Sequence, residues 1–244
     1  MKILICNDDG IESGGLKTLA EKLALNNDVL VIAPDGNRSV CSHSLTVKKS
    51  VKVTEYSKIK GCRAYAISGY PADCVKVATH IFTDFVPDVV LSGINKGHNL
   101  GSDIMYSGTV AIAYEAAYFG FPAFAFSAFS HDEGDFAAFT KISVEILDKL
   151  LPFTKKGEIW NVNFPDFNID IKGIKFTSLG LKVYADEYLR EKDGYVLYGI
   201  EDNVTEFYDC DVCWNRLGFV TVTPLKYDKC DYEILKSIGE KCIL

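Results

Sequence analysis

What most constrains this chain is the alternation, through its first half, of short apolar runs with segments of helical period. Ile3-Leu4-Ile5-Cys6, Asp28 to Ala33, Ala64 to Ile67, Asp88 to Leu91 and Ala123 to Phe126 are aliphatic, β-branched or aromatic runs bounded by Gly, Pro or Asn, the pattern of buried strands. Gly14 to Leu25 places Leu16, Leu19, Ala20 and Leu23 at helical spacing. Pro71 stands where a helix through Val75, Val77, Ala78 and Ile81 would begin, and Ser107 to Phe119 and Asp135 to Leu150 follow as further helices. Strands buried on both faces and joined by helices predict an α/β fold, a doubly wound parallel sheet with right-handed crossovers.

Beyond Pro152 the texture changes. Trp160 to Pro165 reads as another strand, and from Ile174 onward Tyr184, Tyr188, Tyr195, Val196 and Tyr198 suggest hairpin material. Lys192-Asp193-Gly194 carries an Asp-Gly hairpin signal within Thr177 to Gly199. A two-stranded hairpin alone is marginal in water, so this one is expected to pack on another subunit. Gly218 to Pro224 is a late strand, and a short helix closes the chain. The expectation is a single domain over 1–244, with a core at 1–170 and an extension at 171–244.

Charge and cysteine usage exclude several functions. A net charge of -7 argues against binding nucleic-acid polymers, which requires Lys and Arg to neutralise phosphate. It leaves room for a small phosphate ligand held by a helix N-terminus. No apolar run approaches the roughly 18 residues of a membrane span, and no signal peptide is evident, so a cytoplasmic protein is expected. Cys210 and Cys213 form the one C-x-x-C, and Cys230 and Cys242 supply no second pair for zinc, so structural cysteines are the better reading.

In a doubly wound sheet, ligands bind at the carboxyl ends of the strands. Four oxygen-rich segments fall there: Asn7-Asp8-Asp9-Gly10, Asn37-Arg38-Ser39, Ser68-Gly69-Tyr70 and Ser92-Gly93-Ile94-Asn95-Lys96-Gly97. Each alone is an ordinary loop, and Asp8-Asp9 alone could be a solvated Asx-type turn. Together they offer adjacent carboxylates with Ser and Asn oxygens, a donor set suited to Mg²⁺ or Mn²⁺, and a cation would relieve the repulsion of the doublet. Ser107-Gly108-Thr109 opens a helix and would present N–H groups and hydroxyls to a phosphate. His98 reads as a loop histidine, and His80 and His131 as structural or solvated. Lys96 and Arg38 could face phosphate or water.

The segments "NDDGIESGGLKTLAEKL", "VIAPDGNRSVCSHSLT", "SGYPADCVKVA", "DVVLSGINKGHNLGSDIMYSGTVAIAYEA" and "WNVNFP", with the later "GFVTVTPLKYD", resemble the SurE family, the stationary-phase survival proteins that act as 5′/3′-nucleotidases. The resemblance implies a Rossmann-like core and an extension exchanged between subunits in a homodimer or homotetramer. It implies a phosphomonoesterase for nucleoside 5′- and 3′-monophosphates, using one divalent metal ion, Mg²⁺ or Mn²⁺, per subunit. It makes Asp8, Asp9, Ser39 and Asn95 the metal ligands, with Asp8, Asp9 and Asn95 in catalysis and Ser107, Gly108 and Thr109 facing phosphate. The chain departs from the family at Gly36, where a basic residue is usual, at Val40-Cys41 (Gly-Ala), at His43 (Asn), and at Ala111 and Ala116 (Gly). A phosphatase working through an aspartyl-phosphate and a non-catalytic nucleotide-binding module are the alternatives. With Tyr70 and Tyr106 the only rings near the loops, weak discrimination among bases is expected.

Overall fold

The computed structural model describes residues 1–129, 136–202 and 209–239. His131, Asp135 and Cys242 lie outside the described residues. In chain order the elements are β1 (Lys2–Cys6), α1 (Gly14–Leu23), β2 (Asp28–Pro34), β3 (Val53–Glu55), β4 (Arg63–Ile67), α2 (Pro71–Ile81), β5 (Val89–Lys96), α3 (Gly108–Tyr118), β6 (Ala123–Ala128) and α4 (Phe136–Leu150). Then follow β7 (Ile159–Asn163), β8 (Gly173–Phe176), β9 (Val183–Glu191), β10 (Gly194–Asp202), α5 (Asp211–Arg216), β11 (Phe219–Leu225) and α6 (Tyr232–Gly239).

Nine strands form one sheet in the order β3-β4-β2-β1-β5-β6-β7-β11-β8. The run from β4 to β7 is parallel throughout. Taken in chain order, those six strands lie 3-2-1-4-5-6, the Rossmann arrangement. From β1 the chain winds outward through β2 and β4, then returns to β5 on the other side of β1. The order therefore reverses between β1 and β5, and the crevice at their carboxyl ends is where such a sheet binds its ligand.

The expected two-faced burial follows from strand alternation. Ile3 and Ile5 join Leu16, Leu19, Phe136, Phe139 and Ile146 on the face covered by α1 and α4. Leu4 and Cys6 join Val75, Val110 and Ile112 on the face covered by α2 and α3. All four of these β1 side chains are fully buried, and each aliphatic one contributes about 1.5–3 kcal/mol relative to exposure. The start of the chain is thereby pinned at the centre of the sheet, and Asn7-Asp8-Asp9 emerges from it with little freedom. No helix among the described residues is long and apolar enough to cross a membrane.

Three sequence expectations need correction. β5 does not stop at Ser92-Gly93; it shifts register between Ser92 and Asn95 and then pairs Asn95 with Ser127. Gly93 permits this, because its φ is +116° and a Cβ there would stand 2.3 Å from the Phe126 carbonyl oxygen. Asn95 thus sits on a strand end rather than in a loop. Ile174 belongs to β8, which pairs in parallel with β11 at the sheet edge, so the hairpin proper begins only at Val183. β11 is antiparallel to β7 and lies inside the sheet. The short edge strand β3 and the six-residue α5 were not foreseen, having too few residues to show a period. α1 ends at Leu23 and α4 is described from Phe136, within a few residues of expectation.

Candidate active site

The site is built upward from the turn after β1. Asn7, fully buried, donates from Nδ2 to the Gly10 carbonyl (2.9 Å) and accepts the Gly10 N–H at Oδ1 (3.2 Å). The Asx turn considered for the doublet is thus made by Asn7, which releases Asp8 and Asp9 from turn-making. Asp8 is 3% exposed and accepts a hydrogen bond from the Thr109 hydroxyl at Oδ1 (2.5 Å). Asp9, half-buried, accepts the Lys96 backbone N–H at Oδ2 (3.0 Å). The two carboxylates therefore span the switch point, one reaching the start of α3 and the other the end of β5.

Both carboxyls are electrostatically uncomfortable. Burial pushes Asp8 up to about 6; the Thr109 hydrogen bond opposes this and the adjacent Asp9 charge adds to it. Burial also raises Asp9, opposed by the Lys96 N–H and the Lys96 charge. Crowded, desolvated carboxylates with hard oxygen neighbours fit a divalent cation, which would supply the missing positive charge. Among the described residues no cluster of three or more His, Cys, Asp or Glu side chains suits a metal, so a cation here depends on Ser and Asn oxygens as well.

Asn95 donates from Nδ2 to the Gly97 carbonyl (2.9 Å), which leaves Oδ1 as the acceptor end of the side chain. The Ser39 loop is tied down on both sides: Arg38 N–H donates to the Asp8 carbonyl (2.8 Å), and Ser42 donates from its N–H to the Tyr106 carbonyl (3.0 Å) and from Oγ to the Met105 carbonyl (2.6 Å). Ser39 is exposed at the rim, its N–H held by Asn37 Oδ1 (2.7 Å), and no hydrogen bond among the described residues joins its hydroxyl to Asp8, Asp9 or Asn95. The Arg38 guanidinium pairs with Asp35 (2.9 Å) instead of turning inward.

Ser107 caps α3, its Oγ accepting the Val110 N–H (3.0 Å). The following glycine is dictated by close approach. A Cβ on Gly108 would lie 2.8 Å from Asp8 Cβ and Oδ2 and 3.0 Å from Pro71 Cγ, so only glycine lets the helix start press against the carboxylate. Thr109, fully buried, spends its hydroxyl and part of its N–H on Asp8 rather than pointing outward. Of the three residues expected at a phosphate, Ser107 and Gly108 keep their N–H groups at the helix start ahead of its first internal bond, and Thr109 acts as the partner of Asp8.

Two supporting groups escaped the sequence reading. Glu115, buried on α3, binds His43 Nε2 (2.8 Å) and Lys76 Nζ (2.6 Å), and so staples the Ser39 loop and α2 to the helix. Burial pushes the Glu115 carboxyl up, but the His43 and Lys76 hydrogen bonds prevail and the net direction is down. Its signal was a lone acid in the apolar stretch Gly108 to Tyr118. The second group is amide-based: Asn163 Oδ1 accepts the Asn99 N–H (2.8 Å), Asn161 Nδ2 donates to the Asn99 carbonyl (2.8 Å), and Asn99 Nδ2 donates to Ser127 Oγ (2.7 Å). These bonds fix the loop after β5. Asparagines at alternate positions of the buried strand in "WNVNFP" were the visible sign. His98 packs as a loop histidine, Nε2 lying 2.8 Å from the Phe164 carbonyl, and His80 stacks edge-on with Phe119.

With this geometry in place, comparison with known proteins decides the family. A family model described as survival protein SurE matches residues 3–186. The chain belongs to the SurE family. It is 36% identical over 249 residues to the 5′-nucleotidase SurE of Caldanaerobacter subterraneus subsp. tengcongensis, covering 97% of this chain and 96% of that one. The 5′-nucleotidase SurE of Clostridium beijerinckii is 37% identical over 250 residues, covering 98% of each. The crystal structure of the SurE protein from Aquifex aeolicus superposes with a TM-score of 0.84 at 36% identity, covering 98% of this chain and 99% of that one. SurE membership and the Rossmann strand order therefore agree, and the Asp8-Asp9 turn lies within the matched segment.

Proposed function

We propose that this chain is a phosphomonoesterase, a 5′-nucleotidase that hydrolyses nucleoside 5′-monophosphates, with 3′-monophosphates as further substrates, to nucleoside and phosphate. The observation that carries the reading is the Asp8–Thr109 contact, which joins a buried carboxylate to the N-terminal turn of α3 at the switch point of the sheet. The names of the relatives support the substrate class.

Asp8, Asp9, Ser39 and Asn95 would hold one divalent cation, Mg²⁺ or Mn²⁺, which when bound supplies charge neutralisation and Lewis-acid polarisation at the phosphoryl group. Thr109 keeps Asp8 oriented and favours its ionised form. The Lys96 N–H does the same for Asp9. The N–H groups of Ser107 and Gly108 take equatorial phosphoryl oxygens, where charge grows as water attacks phosphorus in line with the departing ester oxygen. Asp8 is a poor nucleophile here, since it is buried and one oxygen is committed to Thr109, which weighs against an aspartyl-phosphate route. Exposed Tyr70 and Tyr106 border the crevice and can stack on any base, in keeping with broad base use.

The exposed β9–β10 hairpin supports assembly as a homodimer or homotetramer; a cytoplasmic location, and 1–170 as the catalytic core with 171–244 as the extension, belong to the same proposal. Phosphate release from a panel of 5′- and 3′-monophosphates and p-nitrophenyl phosphate, with Mn²⁺, Mg²⁺ or EDTA, tests the proposal. Cation-dependent release from most nucleotides is expected. Release confined to sugar phosphates, or undiminished by EDTA, would overturn it.

A further inference from the structure

The C-x-x-C has no part in the chemistry above, and its spacing alone reads as structural. The fold makes more of it. Cys210 precedes α5 and is buried, Cys213 lies on the first turn of α5 and is partly exposed, and their Sγ atoms are 3.5 Å apart. Residues three apart in a helical turn have Cα atoms about 5 Å apart. A disulfide spans roughly 4.4–6.8 Å between Cα atoms, so the two sulfurs can bond by side-chain rotation with little backbone movement.

The surroundings hold that backbone in place. Asp211, between the cysteines, accepts the N–H groups of Gly101 (2.8 Å) and Gly180 (2.7 Å), and its own N–H donates to the Ser178 carbonyl (2.9 Å). A Cβ on Gly180 would stand 2.8 Å from Cys210 Sγ, so that loop walls off Cys210 and leaves Cys213 as the reachable thiol. The other cysteines are poorer candidates. Cys6 and Cys74 are neighbours but fully buried, and burial drives the Cys74 thiol far up. Burial also pushes Cys41 and Cys62 up to about 11, and Cys230 is exposed with no cysteine beside it among the described residues.

We propose that Cys210 and Cys213 form a reversible dithiol–disulfide pair that exchanges with small-molecule disulfides. The Cys213 thiolate attacks one sulfur of the small disulfide, forming a mixed disulfide and expelling one thiolate. Cys210, after losing its proton, attacks Cys213 Sγ and expels the second. One small disulfide is reduced to two thiols, and the protein dithiol is oxidised by two electrons and two protons.

Full-length protein is equilibrated with oxidised glutathione, alkylated, digested without reductant and mapped by mass spectrometry. Expected is an intramolecular bond within the 210–213 peptide that dithiothreitol reverses. Cys210→Ser should instead retain a glutathione adduct on Cys213, and Cys213→Ser should show neither bond nor adduct there. Exposed Cys230 supplies the internal control. If Cys230 acquires glutathione while Cys210 and Cys213 of the parent both remain alkylated thiols, the proposal is overturned. That result needs no variant and so does not depend on the mutants folding.

Discussion

β1 and β9 are both strands that carry large apolar side chains, yet they meet opposite fates. β1 is paired on both edges and covered on both faces, with Ile3 through Cys6 wholly buried. Among the described residues β9 pairs only with β10, and every one of its residues from Val183 to Glu191 is exposed. Tyr188 at 66% and Tyr195 at 67% exposure are aromatic rings left in water. Burial fixes what stands at the end of β1 to within a side-chain rotation, which is what the proposed cation-holding role of Asp8 and Asp9 requires. Exposure leaves the hairpin free to meet a second surface. The chain separates a buried sheet centre, where the proposed chemistry sits, from an exposed two-stranded hairpin suited to the proposed assembly.

That division can be broken from either side. The largest expected effect comes from Asp9→Asn, which keeps the shape and the Lys96 contact but removes one charge. Turnover should fall on the order of 10²-fold or more, with light scattering and the thermal midpoint near those of the parent. An active variant would mean that the doublet is only a turn. Thr109→Val comes next, leaving buried Asp8 without its donor. A loss of about 1–3 kcal/mol in stability is expected from an orphaned buried acceptor, with turnover roughly tenfold lower by the same free-energy scale. Because that bond holds the Asp8 pKa down, the acid limb of the pH–rate profile should also move upward, and an unmoved limb would contradict the assigned pairing.

Replacing residues 183–202 with a short glycine linker attacks the other side. Val183 and Asp202 are paired across the hairpin root, so the gap is small. Sedimentation should then report monomers, while turnover per chain stays within about threefold, a change of under 1 kcal/mol in barrier. Unchanged assembly would remove the role given to the hairpin.

The smallest effect is thermodynamic. In EDTA, folded Asp8 takes up its proton near 6 against 3.8 for the ordinary carboxyl, so between these values the folded state holds the extra proton. Its contribution is full below the unfolded pKa and is lost as pH rises through the folded one, at most about 3 kcal/mol. Urea midpoints from pH 4 to 7 should show this decline in the parent relative to Asp8→Asn. Parallel curves for the two proteins would refute it.

Much of this was legible in the residues because burial on both faces writes itself as uninterrupted apolar runs. β1, β2, β4, β5 and β6 were visible for that reason, as was α2, opened by Pro71. The candidate site was proposed from oxygen donors gathered at strand ends. What escaped was set by contacts distant in sequence. The extension of β5 to Asn95 depends on Gly93 fitting beneath Phe126, and the placement of β8 beside β11 depends on a partner over forty positions away. Nothing local marked Thr109 as facing Asp8 rather than solvent, since that direction follows from how tightly Gly108 allows α3 to approach. Glu115 and the Asn161–Asn163 pair were present as polar residues in apolar surroundings, a sign that such residues have buried partners.

The central claim is that Asp8 and Asp9 crowd their charges in order to hold a cation. Calorimetric titration of Mn²⁺ into the chelator-stripped parent and into Asp9→Asn tests it most directly. One saturable site per chain in the parent is predicted, weakened at least tenfold in the variant. Equal affinity in the two proteins, or no binding to the parent, would contradict the account.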